Sequence, residues 1–406
     1  MWVSQEAAFR STDDWKDTTM IPEALTCTAV LGLDVGKSTH WACLATRAGE
    51  VVLNRRVANS EDELDALFSQ VGAEALVVVD QRRNIGALAI SRAMAAGLAV
   101  AYLPGIAAHQ ASRLFAGDAK TDERDALVIA KTALGIPESL KPVAKPDEKL
   151  DAARMLASQR DYMVTSATRD KNRLRSILLE SCAAFEALVD VCDGGWLAAL
   201  ERLGGAWGIA DAGKRRLKAA AKGVPAGRID AALDAVGRST RPSECRVAAE
   251  NPQVMMLARR IREAVAEAAR LDSEISRLLE GETSYKCLMT IPGIGARTAS
   301  ELVIGIDISD FPDHDHLASY CGIAPRNRRS GTSISSVSAS RQGNKRLKNL
   351  LIFSCNSLVR SNNRFGDYYR GCRGRGMCHG EALKAVARKR LKVIYAIMRD
   401  KVPYTA

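Results

Sequence analysis

Two short apolar runs, "AVLGLD" at 29–34 and "EALVVVD" at 74–80, each close on an aspartate. Both are too short for an ordinary helix and carry no polar interruption, so they read as strands buried on both faces of a sheet. "THWACLATRAGEVVLNRRV" alternates as a hairpin turning at Ala48-Gly49, which makes the first three strands a meander. "SEDELDALFSQV" has Ser60 as N-cap and Glu63 three residues on, the pattern of a capping box. "NIGALAISRAMAAG" reads as a helix ending at Gly97, "LAVAYLP" as a further strand, and "GIAAHQASRLF" as a helix leading through "AGDAK" to "KTDERDALVIAKT". Strands alternating with helices in this order predict an α/β domain with a partly parallel sheet over 29–145, after a polar extension at 1–28.

A different composition follows. Residues 150 to 190 and 252 to 282 are rich in Ala, Arg, Leu and Glu. In the second, Leu257, Ile261, Ala264, Ala268, Leu271, Ile275 and Leu278 keep heptad spacing, which predicts an antiparallel helical hairpin or a dimerising coiled coil over 146–284. The Gly- and Ala-rich stretch 191–250 between them has helical patches and no assignable pattern. From 285 to 406 the chain reads as a compact, mostly helical domain, interrupted at 325–346 by a basic, hydroxyl-rich loop or irregular hairpin.

The net charge of +11 is unevenly placed. From Cys321 to Ala406 there are 19 Lys and Arg against three acids, a net of +16, so the other residues sum to −5. Apolar residues are interleaved throughout this region, so it is a folded basic surface, and its field favours a polyanion such as nucleic acid. No apolar run approaches the roughly 20 residues of a membrane helix, and the N-terminus lacks the layout of a secretory signal. Ten scattered cysteines without a CxxC pair read as reduced thiols, which suggests a cytoplasmic protein. Cys372, Cys378 and His379 in "CRGRGMCH" offer half of a zinc site without a second half.

Three groups of residues could carry chemistry. Asp34 and Asp80 end strands, and Asp122 and Asp125 open a helix on one of its faces. Strand ends and flanking loops line one edge of an open α/β sheet, so the four carboxylates could converge on hard cations such as Mg²⁺, two of which could clamp a phosphodiester. The plain alternative makes each a turn or N-cap residue, with Asp122 capping its helix after Thr121. In "IPGIGARTA", Gly293 and Gly295 suit a tight turn that meets a helix N-terminus and binds phosphate, a helix-hairpin-helix element. In "RNRRSGTS", Ser330 follows Arg326, Arg328 and Arg329; by chemistry alone these form a phosphate-binding loop, since no nearby histidine offers a base. Arg341, Lys345 and Arg346 extend the basic stretch.

Taken in order, "GLDVGKSTHWA", "KTDERDALVIA", "IPGIGARTASEL", "YCGIAPRNRRSGTS" and "QGNKRLKNLL" resemble successive blocks of the DEDD-type insertion-sequence transposases, serine-using recombinases guided by a bridge RNA. The likeness runs from about residue 29 to 404. It implies a RuvC-like (RNase H-type) N-terminal domain, a coiled-coil middle and a mostly α C-terminal transposase domain. By motif, the resemblance implies Asp34, Asp80, Asp122 and Asp125 as ligands of Mg²⁺, two ions in the family's pattern, with Mn²⁺ as a substitute. Ser330 would be the nucleophile that holds a 5′-phosphoserine intermediate. The family's second acid is commonly Glu, where this chain has Asp80, and 191–250 is long for the family. The implied partners are double-stranded DNA, a guide RNA held on basic stretches such as "LNRRV" and "DQRRN", and further copies of the chain in a dimer or tetramer. A metal-dependent endonuclease or junction resolvase using water, and a non-catalytic architectural DNA-binding protein, are the rival readings.

Overall fold

The computed structural model describes residues 26–82, 84–115, 121–143, 147–330, 334–339 and 343–405, and of 325–330 and 334–339 the backbone alone. The chain divides into two compact units between 146 and 147.

The first unit holds a six-stranded mixed sheet. Its strands are β1 (Ala29–Asp34), β2 (Thr39–Thr46), β3 (Val51–Ala58), β4 (Ala75–Val79), β5 (Ala99–Tyr102) and β6 (Lys141–Pro142), in the order β3-β2-β1-β4-β5-β6. The apolar runs behave as expected of strands with no solvent face: β1 pairs parallel with β4, and β4 with β5. The hairpins β1–β2 and β2–β3 are antiparallel and form the expected meander. β6, antiparallel to β5, is two residues long and carries no sequence signal.

Both faces of the sheet are covered. Helices α1 (Glu61–Gln70) and α2 (Ala87–Ala95) bury Leu64, Leu67, Phe68, Ala89 and Ile90 against Leu31, Leu33, Val77 and Val79. On the opposite face, α3 (Gly105–Ser112) and α4 (Asp122–Gly135) lie over Val30, Cys43, Leu76 and Val78. Ser60 is the N-cap of α1, but its hydroxyl makes no cap hydrogen bond, so the expected capping box does not form; Glu61, Asp62 and Glu63 still favour the positive end of the helix dipole.

The second unit is built on two long helices, α5 (Glu148–Glu186) and α9 (Glu244–Leu279). Ion pairs Arg160–Asp272, Asp170–Arg260 and Glu180–Arg246 run down one helix as they run up the other, so the two are antiparallel. The heptad seam is therefore filled by the chain's own helix: Leu257, Ile261, Ala268, Leu271 and Ile275 are buried, while Leu279 takes the buried place expected of Leu278. α9 begins eight residues before position 252 and contains Pro252, which the sequence reading had as its start. The unassigned 191–250 segment folds as α6 (Gly194–Leu203), α7 (Ala206–Ala220, broken at Gly213), α8 (Ala226–Gly237) and the start of α9. Trp196, Trp207, Leu217 and Ile229 pack there with Phe185 and Leu257 of the long helices.

The remaining helices are α10 (Thr283–Met289), α11 (Ala296–Gly305), α12 (His314–Tyr320), α13 (Lys345–Leu358), α14 (Arg364–Gly374) and α15 (His379–Asp400). They share one core with the ends of the long pair, including Ala153, Ala157, Ile275 and Leu279. Between α12 and α13 runs an antiparallel ribbon, β7 (Pro325–Ser330) and β8 (Ile334–Ala339), where the sequence reading had a loop or irregular hairpin. Among the described residues no helix is long and apolar enough to cross a membrane.

Candidate active site

β1 and β4 pair in parallel with Leu33 opposite Val79, so Asp34 and Asp80 occupy neighbouring places at the same sheet edge. Side chains alternate along a strand. Val30 lies on the α4 face and Leu31 and Leu33 on the other, which sets Asp34 on the α4 face; Leu76 and Val78 do the same for Asp80. The Val35 amide donates to Asp80 Oδ1 over 3.5 Å, tying the two strand ends together.

α4 reaches this edge because of Gly32. A Cβ at position 32 would stand 2.5 Å from the Ala126 carbonyl oxygen and 2.7 Å from the Ala130 nitrogen. The helix backbone thus rests directly on the strand, as an isolated glycine in an apolar strand permits. Its first turn carries Asp122, Glu123 and Asp125. Thr121, not Asp122, is the N-cap and accepts from the Arg124 amide, so Asp122 is left at the exposed start of the helix and Asp125 half-buried below it. Burial pushes the Asp80 carboxyl above its ordinary range, and the negative charge of Asp125 adds to the rise.

Further side chains hold the edge. Asn54 of β3 donates to Glu123 Oε1 at 3.0 Å and accepts from the Trp41 indole, which joins β2, β3 and the first turn of α4. The loop after Asp34 is clamped by buried His40: its Nδ1 accepts from the Gly36 amide at 3.2 Å and its Nε2 lies 3.1 Å from Asn59 Oδ1. Burial lowers the His40 pKa and favours the neutral ring, and a Nδ1 that accepts from Gly36 leaves the ring proton on Nε2. Neither group was singled out in the sequence, because an Asn, a Trp and a His on strands look like ordinary surface and core.

The donor set is one of carboxylate oxygens, two of which repel each other, and this chemistry fits a hard divalent cation. The side chains do not close on one as they stand: among the described residues no three His, Cys, Asp or Glu side chains group as a metal site. The same holds of the zinc half-site, where the Tyr369 hydroxyl and His379 Nδ1 are 2.7 Å apart and Cys372 is buried while Cys378 is exposed.

In the second unit, Ser330 is the last residue of β7, its backbone opposite Ile334. Arg326 and Arg328 pair with Ser338 and Ser336, and Arg329 with Ser335. The side chains of these residues, and Arg341 altogether, lie outside the described residues. Lys345 is exposed at the start of α13. Arg346, expected at DNA, meets carboxylates instead: it donates to Glu301 Oε1 at 2.5 Å and lies 2.6 Å from Asp161 Oδ2. Buried Arg160 joins the same group through Glu301 and Asp161, so α5, α11 and α13 are cross-tied. Gly293 takes φ +74° in the exposed turn between α10 and α11, and Gly295 is the N-cap of α11.

A family profile described as a transposase of the DEDD IS110 type matches residues 31–183, and one described as the transposase IS116/IS110/IS902 family matches residues 285–370. The 43.6 kDa protein of insertion element IS110 from Streptomyces coelicolor is 35% identical over 384 residues, 91% of this chain and 94% of that protein. The 42 kDa protein of insertion element IS900 from Mycobacterium paratuberculosis is 28% identical over 386 residues, 92% and 96% of the two chains. A pilin gene-inverting protein of Moraxella lacunata is 35% identical over 146 residues, 33% of this chain and 44% of its own length.

Proposed function

The chain belongs to the IS116/IS110/IS902 family of transposases and is a DNA-recombining enzyme, and from that premise we propose that it exchanges strands through a serine–DNA intermediate at a divalent-metal site. The observation that carries the reading is the seat of α4 on Gly32, which would bring Asp122 and Asp125 toward the edge where Asp34 ends β1 and Asp80 follows β4. This arrangement supports a RuvC-like first domain at 29–145. Asp34, Asp80, Asp122 and Asp125 would hold Mg²⁺, with Mn²⁺ as substitute. Bound there, the cation supplies Lewis-acid stabilisation of charged phosphate oxygens.

The rest of the chemistry belongs to the chain. Ser330 Oγ attacks the phosphorus, the bond to the 3′ oxygen breaks, and the proton lost by the hydroxyl ends on that departing oxygen. The phosphate stays on Ser330 as a 5′-phosphoserine ester. Attack by the 3′-hydroxyl of another strand breaks the ester, and the serine regains its proton. One phosphate ester replaces another at each step, so no external energy source is required. Arg326, Arg328 and Arg329 on the same strand would offset the negative charge that builds on the phosphoryl oxygens.

Gly293, Gly295, Arg341 and Lys345 would contact backbone phosphate; Arg346 would do so only on leaving Glu301 and Asp161. A guide RNA reads sequence by pairing while the protein reads backbone shape. Strand exchange needs several active sites at once, so a dimer or tetramer acts, with the acids of one copy serving Ser330 of another. We place the protein in the cytoplasm, at the nucleoid.

The test is a denaturing trap of protein–DNA adducts on duplexes carrying the element's ends, with and without the co-purified RNA. Wild type should yield a covalent adduct mapping to Ser330, and Ser330→Ala none, with cleavage reduced by on the order of 10³-fold or more. Undiminished cleavage by Ser330→Ala would select the water-using nuclease instead.

A further inference from the structure

Among its described residues the second unit buries two arginines almost completely, and they are treated differently. Arg160 meets three carboxylates: Asp161 at 3.1 Å, Asp272 at 3.3 Å and Glu301. Arg390 of α15, 0% exposed, meets none among the described residues. Its Nη1 donates to the Ser354 carbonyl at 3.0 Å and hydroxyl at 2.8 Å, its Nη2 donates to the Pro292 carbonyl at 2.6 Å, and its Nε finds no acceptor among the described residues. The neighbouring Cys355 thiol is no counter-ion, because burial pushes its pKa up and keeps it neutral. Burying a charge without an opposite charge is costly.

This unbalanced cation lies directly beneath the exposed turn 292–295. A Cβ on Gly293 would stand 3.3 Å from Arg390 Nη2. The turn leads into α11, ten residues long, whose N-cap Gly295 has no side chain to satisfy the amides of the first turn. Those amides, the positive end of the helix dipole and the guanidinium below all favour an anion at the same place.

We propose that residues 292–298 form a phosphate subsite for the DNA backbone, and that Arg390 is its positioning residue. It holds the turn through the Pro292 carbonyl and leaves its own charge to be balanced by the phosphate. This deepens the reading that Gly293 and Gly295 contact DNA, and it is independent of Ser330 and of metal.

The test uses the full-length protein and a random-sequence duplex, with affinity measured by fluorescence anisotropy between about 50 and 200 mM salt. Gly295→Asp has open space for its side chain and installs a favoured N-cap, so it should keep or raise the thermal midpoint. Its carboxylate should weaken binding roughly tenfold and reduce the slope of log K against log salt by about 1. Arg390→Met should give the same loss of slope, and Arg390→Lys should restore it. Unchanged affinity and slope in Gly295→Asp would overturn the subsite, and it decides alone if Arg390→Met does not fold. A lowered midpoint with an unchanged slope in Arg390→Met would make Arg390 merely structural and overturn its role. Failure of the wild type to bind duplex would instead remove the DNA-contact premise itself.

Discussion

Replacing Asp34 or Asp122 by asparagine is expected to abolish strand cleavage, by on the order of 10³-fold or more, and to leave the thermal midpoint nearly unchanged. Asparagine keeps the shape of the side chain and removes its charge. A carboxylate that only caps a turn loses little by that change, since Asn caps helices about as well as Asp. One that holds a divalent cation loses its role entirely. The contrast should be sharpest at Asp122: Thr121 already caps α4, so the acid is free of that duty. Cleavage of a duplex carrying the element's end, measured with Mg²⁺ and a circular-dichroism melt of each variant, separates the two cases. An architectural protein would pass both substitutions without change in any activity.

Gly32→Val should be the most damaging single change in the first unit. The added Cβ meets the α4 backbone twice, the Ala126 carbonyl oxygen at 2.5 Å and the Ala130 nitrogen at 2.7 Å, and neither can rotate away. Either α4 lifts off the sheet or the strand bends. Overpacking of this kind costs typically about 1–3 kcal/mol, and contact with helix backbone rather than a flexible side chain argues for the upper end. The consequence for function is larger than for folding, because the same shift withdraws Asp122 and Asp125 from the strand ends. Activity should therefore fall by at least 10²-fold even at a temperature where the variant is fully folded, a magnitude expected when reacting groups are displaced by about 1 Å. Chemical denaturation and the cleavage assay on the same preparation test both halves. A variant that loses stability but cleaves normally would show that α4 does not position the acids.

Much of the first unit was readable because its signals are local. Apolar runs of five or six residues closed by Asp mark strands buried on both sides, and their order with the helices gives the meander and the two crossovers. The glycine inside "AVLGLD" is a sign that another backbone approaches, but it does not say that the backbone is that of α4. Asn54 meets Glu123 from 69 residues away, and a pairing at that distance leaves no local pattern. In the second unit the seam at 257–275 was visible, but its partner was not, since a heptad pattern serves an intramolecular helix as well as a second chain. The stretch at 191–250 escaped assignment because Gly213 breaks α7 and alanine blurs the apolar face. Pro252 hid the first turns of α9 in the same way. Arg346 and Arg390 look alike in a basic sequence; only the packing shows that one faces carboxylates and the other faces none among the described residues.

The account stands on four aspartates serving one metal centre at the edge of the first unit. Binding of Mn²⁺ followed by electron paramagnetic resonance, on wild type and on Asp34→Asn and Asp122→Asn, tests this most directly, because it reads the ion rather than the reaction. The wild type should bind with a signal broadened by coupling between two neighbouring ions, and each variant should lose that coupling together with at least tenfold in affinity. Equal binding by wild type and both variants would contradict it.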